Sequence, residues 1–152
     1  MTDLTYWDCY ILVLEVSETT MIKLRKQYLY VEPDIYIYIG SSRKPGLALS
    51  RLARHLVREK KRHWHIDHLT TSPNTTIRGV FLLKTKYKDC EYELTKLFVN
   101  KNLEYVKRFG ASDKAQEPSH LFKCDNNLST CLSQISSCLE SNDSIKELVY
   151  AI

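Results

Sequence analysis

Tyr36-Ile37-Tyr38-Ile39 runs into Gly40-Ser41-Ser42, and after Pro45-Gly46 comes Arg51-Leu52-Ala53-Arg54-His55. A strand, a glycine break and a basic helix in that order can assemble a phosphate-handling site from short elements. His55 stands in line with arginines, which favours its neutral form and leaves a ring nitrogen able to accept a proton. Farther along, Glu91 falls at the margin of a second helical stripe, half buried. A carboxylate there needs a partner, either a lysine or arginine or a hard cation such as Mg²⁺. Taken alone, a salt bridge or a helix cap is the simpler use of such a residue.

These side chains need elements to hold them. Tyr10 to Val16, Met21 to Val31 and Ile35 to Ile39 are rich in β-formers and read as three strands of a meander. Glu32-Pro33-Asp34 turns the chain between the last two, because proline presets its dihedral and biases Glu32 to extended backbone. After Gly46, the residues Leu49, Leu52, Ala53, Leu56 and Val57 repeat as a helix packed on a sheet. On that wheel Arg51, His55, Arg58 and Arg62 share the opposite, cationic face. Thr75 to Thr85 is a further strand, and Phe109-Gly110 closes a short extended piece. A second helix spans Tyr87 to Val99, with Tyr87, Cys90, Leu94, Leu97 and Phe98 inward. Leu128, Cys131, Leu132, Ile135, Cys138 and Leu139 make another, and Ile145, Leu148 and Val149 suggest one more. Strands followed by helices, a strand and helices give a mixed α/β or α+β class.

At 152 residues the chain is one domain with a real core. No apolar run approaches the roughly 20 residues that span a bilayer, and no basic-then-apolar leader opens the chain, so it reads as soluble, unexported and cytoplasmic. Cys9, Cys90, Cys124, Cys131 and Cys138 form no CxxC pair and no zinc spacing. Their odd number argues against a disulfide framework, so buried free thiols in a reducing compartment are expected. Charge is concentrated. Arg43, Lys44, Arg51, Arg54, Arg58, Lys60, Lys61 and Arg62 face Glu59 alone between residues 43 and 62, a local +7 on a chain of net +4. That is the footprint of a polyanion partner, most simply nucleic acid, and also of a solvated helix face.

Tyr10, Tyr38-Ile39-Gly40, Arg51-Leu52-Ala53-Arg54-His55 and Glu91 together resemble the ordered signature of the GIY-YIG nuclease superfamily. Tyr36 to Ser42, His63-Trp64-His65-Ile66-Asp67, Phe109-Gly110-Ala111-Ser112-Asp113 and Ser119-His120-Leu121-Phe122 resemble one branch of it more closely. That branch is a domain of unknown function found in archaea and bacteria, sometimes fused to endonuclease III-type repair enzymes. The resemblance covers residues 6 to 125. It implies a 1–125 domain built on a small, mainly antiparallel three-stranded sheet flanked by helices. Residues 126–152 would be a helical extension packed on that domain or at an interface, including a homodimer.

The resemblance also implies metal-assisted phosphodiester hydrolysis in DNA or RNA, with a role in repair or nucleic-acid processing and a repair protein as partner. Tyr10 would deprotonate or orient the attacking water, helped by Tyr38 and His55, since a phenol proton becomes more labile beside cations and a metal. Arg51 would bind the scissile phosphate through its planar fork. Glu91 would hold Mg²⁺ or Mn²⁺. Arg43, Lys44, Arg54, Arg58, Lys61 and Arg62 would track the nucleic-acid backbone. His63, Asp67, Ser112, Asp113, Ser119 and His120 would lie beside the site. Read singly, Tyr36 and Tyr38 also suit core packing, His63 and Asp67 a local hydrogen bond, and Ser112-Asp113 a turn. Asp8-Cys9 ahead of Tyr10 departs from the usual first motif, which also fits a catalytically silent nucleic-acid-binding or repair-accessory module.

Overall fold

The computed structural model describes residues 7–23, 26–42, 47–62, 64–107, 109 and 119–151. Arg43, Lys44, His63, Ser112 and Asp113 lie outside them. The chain order is β1 (Cys9–Val16), β2 (Thr20–Lys23), β3 (Tyr28–Val31), β4 (Asp34–Ser41), α1 (Leu47–His55), α2 (His65–Thr70), β5 (Thr75–Thr85), α3 (Cys90–Asn100), β6 (Leu121–Lys123), α4 (Leu128–Glu140) and β7 (Ile145–Ala151). The class is mixed α+β. Five strands form one sheet in the order β6-β4-β1-β5-β7, and every neighbouring pair is antiparallel.

β1 lies at the centre, and its sequence Cys-Tyr-Ile-Leu-Val-Leu-Glu-Val suits burial on both faces. Tyr10, Leu12 and Leu14 point to one core with Tyr36 and Tyr38 of β4, Ala48 and Leu52 of α1, and Ile66 and Leu69 of α2. Cys9, Ile11 and Val13 point to the other, shared with Cys90, Leu94 and Phe98 of α3 and Cys131, Ile135 and Leu139 of α4. Two helical layers thus sandwich the sheet, and β1 couples them. Among the described residues no helix is long and apolar enough to cross a membrane.

Several expectations need correction. The sheet has five strands where three were expected, because β6 extends it beyond β4 and β7 beyond β5. The Met21 to Val31 segment is no middle strand of a meander. It folds back on itself as the β2–β3 hairpin, a separate two-stranded sheet. Ile145, Leu148 and Val149 lie on β7 and not on a helix; the long strand β5 offers a free edge there, paired from Val80↔Ala151 to Thr85↔Ile145.

The helix α1 presents a different face from the one its leucines suggest. Ala48, Leu52 and His55 are buried, whereas Leu49, Leu56 and Val57 are exposed. The predicted stripe is rotated by roughly a quarter turn, since the helix ends at His55 and cannot carry Leu56 and Val57 inward. Small Ala48 lets the helix approach the sheet closely, and His55 turns in towards Tyr10.

Four of the five cysteines are paired, against the expectation of free thiols. Cys9 bonds Cys90 and Cys124 bonds Cys131, leaving Cys138 free. Pairing is invisible in the spacing, because 81 residues separate the first two and only the fold brings β1 against α3. The argument for a reducing compartment loses its premise.

Candidate functional site

β4 ends in Gly40-Ser41, opposite the start of β1, where Tyr10 pairs with Gly40 and Cys9 with Ser41. The hydroxyl end of the Tyr10 ring lies over Gly40. A Cβ at residue 40 would sit within 2.5 Å of the ring carbon Cε2 and closer still to Cζ and the hydroxyl. Glycine is therefore required for steric reasons on a buried strand where the ring has no room to move. Gly40→Ala is expected to cost about 3 kcal/mol. Urea unfolding checks it, and Tyr10→Ala should relieve the clash, so that the double variant is no less stable than Tyr10→Ala alone.

Tyr10 reaches α1. Its hydroxyl lies 2.7 Å from Nε2 of His55, and both side chains are buried. The Tyr38 ring meets the same imidazole edge-on, with centroids 6.0 Å apart. Burial lowers the His55 pKa to about 4, aided by Lys60, Arg54 and Arg51 and opposed by Asp67. The ring is neutral near pH 7, as expected, but burial contributes more than the arginines. For Tyr10 burial raises the phenol pKa, and Arg51 opposes without prevailing. Tyr38 is raised likewise, chiefly by burial. Both phenols therefore hold their protons at rest, contrary to the labile tyrosine proton that the family resemblance implies. In the tautomer that carries its proton on Nδ1, a neutral imidazole at 2.7 Å accepts the Tyr10 proton.

A second chain of contacts passes through Ser41. Its carbonyl accepts a hydrogen bond from the Arg51 guanidinium, and its hydroxyl donates to Oε2 of Glu91 at 2.9 Å. Oε1 of Glu91 is 3.2 Å from Nε2 of His120, and the Glu91 side chain is only 12% exposed. Asp89 caps α3 by accepting from Tyr92 N–H, so Glu91 sits in the first helical turn, where a carboxylate is favoured. Arg51 comes from the helical layer on one face of the sheet and Glu91 from the layer on the other. They meet at the strand end, and the charges of both reach the Tyr10 hydroxyl.

The Trp64 to Asp67 segment supports this arrangement. Arg54 makes two hydrogen bonds to the buried Asp67 carboxylate, 2.7 and 2.9 Å, and lies over the Trp64 ring at 4.6 Å. The Arg51 guanidinium stacks on the same ring at 5.4 Å. Trp64 N–H donates to Asp67, which fixes the entry to α2. Asp67 thus holds α1 in place rather than facing a substrate. Ser119 is buried and ties its own strand through Leu121 and Phe109, and Phe109 packs edge-on against Tyr38.

The basic cluster divides. Arg58 donates to the carbonyls of Ser72 and Thr75, and Lys60 to those of Arg54 and His55 at the end of α1. Lys61 and Arg62 are exposed. Tyr10, Tyr38, Arg51, His55, Glu91 and His120 come together, while Arg54, Arg58 and Asp67 join the frame around them. Sequence reasoning placed Gly40, Ser41 and Trp64 inside its motifs but gave none of them a role of its own at the site. The polar Gly40-Ser41-Ser42 run directly after an apolar strand was the available signal for the first two.

Among the described residues no three His, Cys, Asp or Glu side chains cluster as a protein-only metal cage. Mg²⁺ does not require one: it commonly keeps several waters and takes one or two carboxylates plus substrate phosphate. Glu91, a hard oxygen donor beside the Ser41 hydroxyl, fits that pattern. No curated protein and no solved structure matches the chain. A family model does, over residues 9–142, a span from β1 through α4 that contains every residue of the site; the chain belongs to the family described as Domain of unknown function DUF123.

Proposed function

We propose that this chain is a GIY-YIG-type nuclease, dependent on Mg²⁺ or Mn²⁺, that hydrolyses phosphodiester bonds in DNA or RNA. The observation that carries the reading is the convergence of Tyr10, His55, Arg51 and Glu91 from three elements on the Gly40-Ser41 strand end. Tyr10 takes the proton of the attacking water as it passes its own to Nε2 of neutral His55, so the buried phenol never carries an isolated charge. Tyr38 packs the imidazole in place. Arg51 has donors beyond the one given to Ser41, and these bind the phosphate as charge builds on its oxygens. Glu91 would hold the metal, with Ser41 and His120 fixing its carboxylate; the ion would polarise the phosphoryl oxygen and stabilise the leaving oxygen. Lys61 and Arg62, with Arg43 and Lys44, supply the backbone contacts. Both oxygens of Glu91 already have protein neighbours, which favours as second reading a silent nucleic-acid-binding or repair-accessory module.

Cleavage decides between them. Labelled single-stranded, duplex and branched DNA and RNA are incubated with Mg²⁺, Mn²⁺ or EDTA. Metal-dependent cleavage is expected, and Tyr10→Phe, which keeps the ring over Gly40 and removes the hydroxyl, should lower it by about 100-fold while the protein stays folded. Cleavage that persists in EDTA, or equals wild type in Tyr10→Phe, would sink the mechanism.

A further inference from the structure

The β2–β3 hairpin has an outer face that the fold does not use. Its register sets Met21 opposite Tyr30 and Lys23 opposite Tyr28. Side chains alternate across a strand, so these four share one face while Ile22, Leu29 and Val31 share the other. The inner face is anchored: Ile22 and Val31 are fully buried in the core that also holds Tyr10, Tyr38 and Leu69. The outer face is open, with Met21 54%, Tyr28 52% and Tyr30 61% exposed. Neither tyrosine hydroxyl makes a hydrogen bond among the described residues. Two exposed aromatic rings and a methionine on a four-residue hairpin contribute nothing to the core and cost solubility, so a ligand for them is the economical explanation.

We propose that this face is a base-stacking platform for unpaired nucleotides of a nucleic-acid strand. The proposal rests on the nucleic-acid reading of the cleavage site and narrows its substrate class to one with a single-stranded portion. Tyr28 and Tyr30 stand two residues apart, about 7 Å, so each ring takes the flat face of one base. Charge fits the same partner. Lys23 lies exposed beside Tyr28 across the hairpin, and Lys26 is exposed at its turn. The acidic side chains Glu18 and Glu32 lie at the opposite end from Lys23 and Lys26, and Glu32 accepts a hydrogen bond from Thr19. Bases meet the rings and phosphates meet the lysines, the usual division of labour in single-strand binding. The platform is distinct from the cleavage site: β1 runs six residues from Tyr10 to Val16, about 20 Å, before the chain enters the hairpin. A strand of several nucleotides bridges that distance.

Full-length protein in EDTA, where no metal-dependent cleavage occurs, is titrated into a labelled oligothymidylate 20-mer and into a 20-base-pair duplex, read by fluorescence anisotropy. Tyr28→Ala/Tyr30→Ala is expected to weaken oligothymidylate binding at least tenfold and duplex binding by less than twofold, while Tyr28→Phe/Tyr30→Phe retains both. Circular dichroism melts establish that each variant is folded. Unchanged oligothymidylate affinity in the alanine pair, with wild-type cleavage intact, would overturn this platform and leave the nuclease reading standing. Wild type that neither binds nor cleaves either probe would overturn the nucleic-acid reading itself, and the platform with it. A dimer-to-monomer shift in sedimentation at unchanged oligonucleotide affinity would make the face a contact between copies and also overturn the proposal.

Discussion

Glu91→Gln is expected to reduce metal-dependent cleavage about a thousandfold, roughly 4 kcal/mol of barrier, while the protein stays folded. The amide matches the carboxylate in size, and its oxygen still accepts from the Ser41 hydroxyl, which lies 2.9 Å from Oε2. What disappears is the negative charge that would hold a divalent cation. Binding of an oligonucleotide in EDTA should then be unchanged or tighter, since an anion has left the phosphate site. Single-turnover cleavage at saturating protein measures the chemical step, and anisotropy in EDTA measures binding apart from it. Cleavage within tenfold of wild type would assign Glu91 a structural role between Ser41 and His120. Equal loss of folding and activity would assign it that same role, which is why the isosteric amide is preferred to alanine.

The sequence makes β4, β5 and α3 readable for different reasons. β5 spans Thr75–Thr85 as expected, because a long branched and apolar run has no competing helical period. α3 begins at Cys90 and not Tyr87, since the Asp89 side chain caps the first turn. At β4 the expected Ile–Tyr alternation conceals that both sets are buried, Ile37 under one helical layer and Tyr38 under the other. Alternation in residue type therefore does not mean alternation in exposure. The misjudged elements are those whose partner is distant. β7 carries a spacing compatible with a helix, yet β5 supplies the pairing, and nothing local to residues 145–151 records that a strand edge waits there.

For the site, residue type is more legible than environment. The helical wheel puts His55 with Arg51, Arg58 and Arg62 on a solvent-facing side, and the structure turns it into the core against Tyr10. A wheel centred on Leu49 and Leu56 outvotes one centred on Ala48, because alanine carries little hydrophobic weight despite permitting the closest approach. The same error hides the Tyr10–His55 contact. Likewise the arginines Arg54 and Arg58 look like a nucleic-acid surface in one dimension. In three, Arg54 neutralises a buried aspartate, while Arg58 bonds two carbonyls and stays exposed. Charge counted along a chain does not distinguish cations that meet solvent from cations consumed by the fold.

Removing the Cys9–Cys90 bond should lower stability by about 4–5 kcal/mol, against about 2–3 kcal/mol for Cys124–Cys131. The difference follows from separation, 81 residues against 7, because the longer loop loses more conformational freedom in the unfolded chain when closed. Urea unfolding of Cys9→Ala/Cys90→Ala and of Cys124→Ala/Cys131→Ala checks the order and the gap. Both residues of the first pair are at least 95% buried, so reductant reaches the bond through unfolding rather than on the native surface. Slow reduction of the native protein and rapid reduction in urea are expected together. Thiol titration in denaturant without reductant should find one reactive cysteine, Cys138; five would mean that neither bond forms in solution. The location of the first bond matters for the site as well as for stability. Cys9 precedes Tyr10 and Cys90 precedes Glu91, so a single covalent link ties the strand carrying the proposed proton donor to the helix carrying the proposed metal ligand. Cys9→Ala/Cys90→Ala, assayed where it remains folded, should therefore lose cleavage beyond its unfolded fraction. Activity that tracks only the folded fraction would confine the bond to stability.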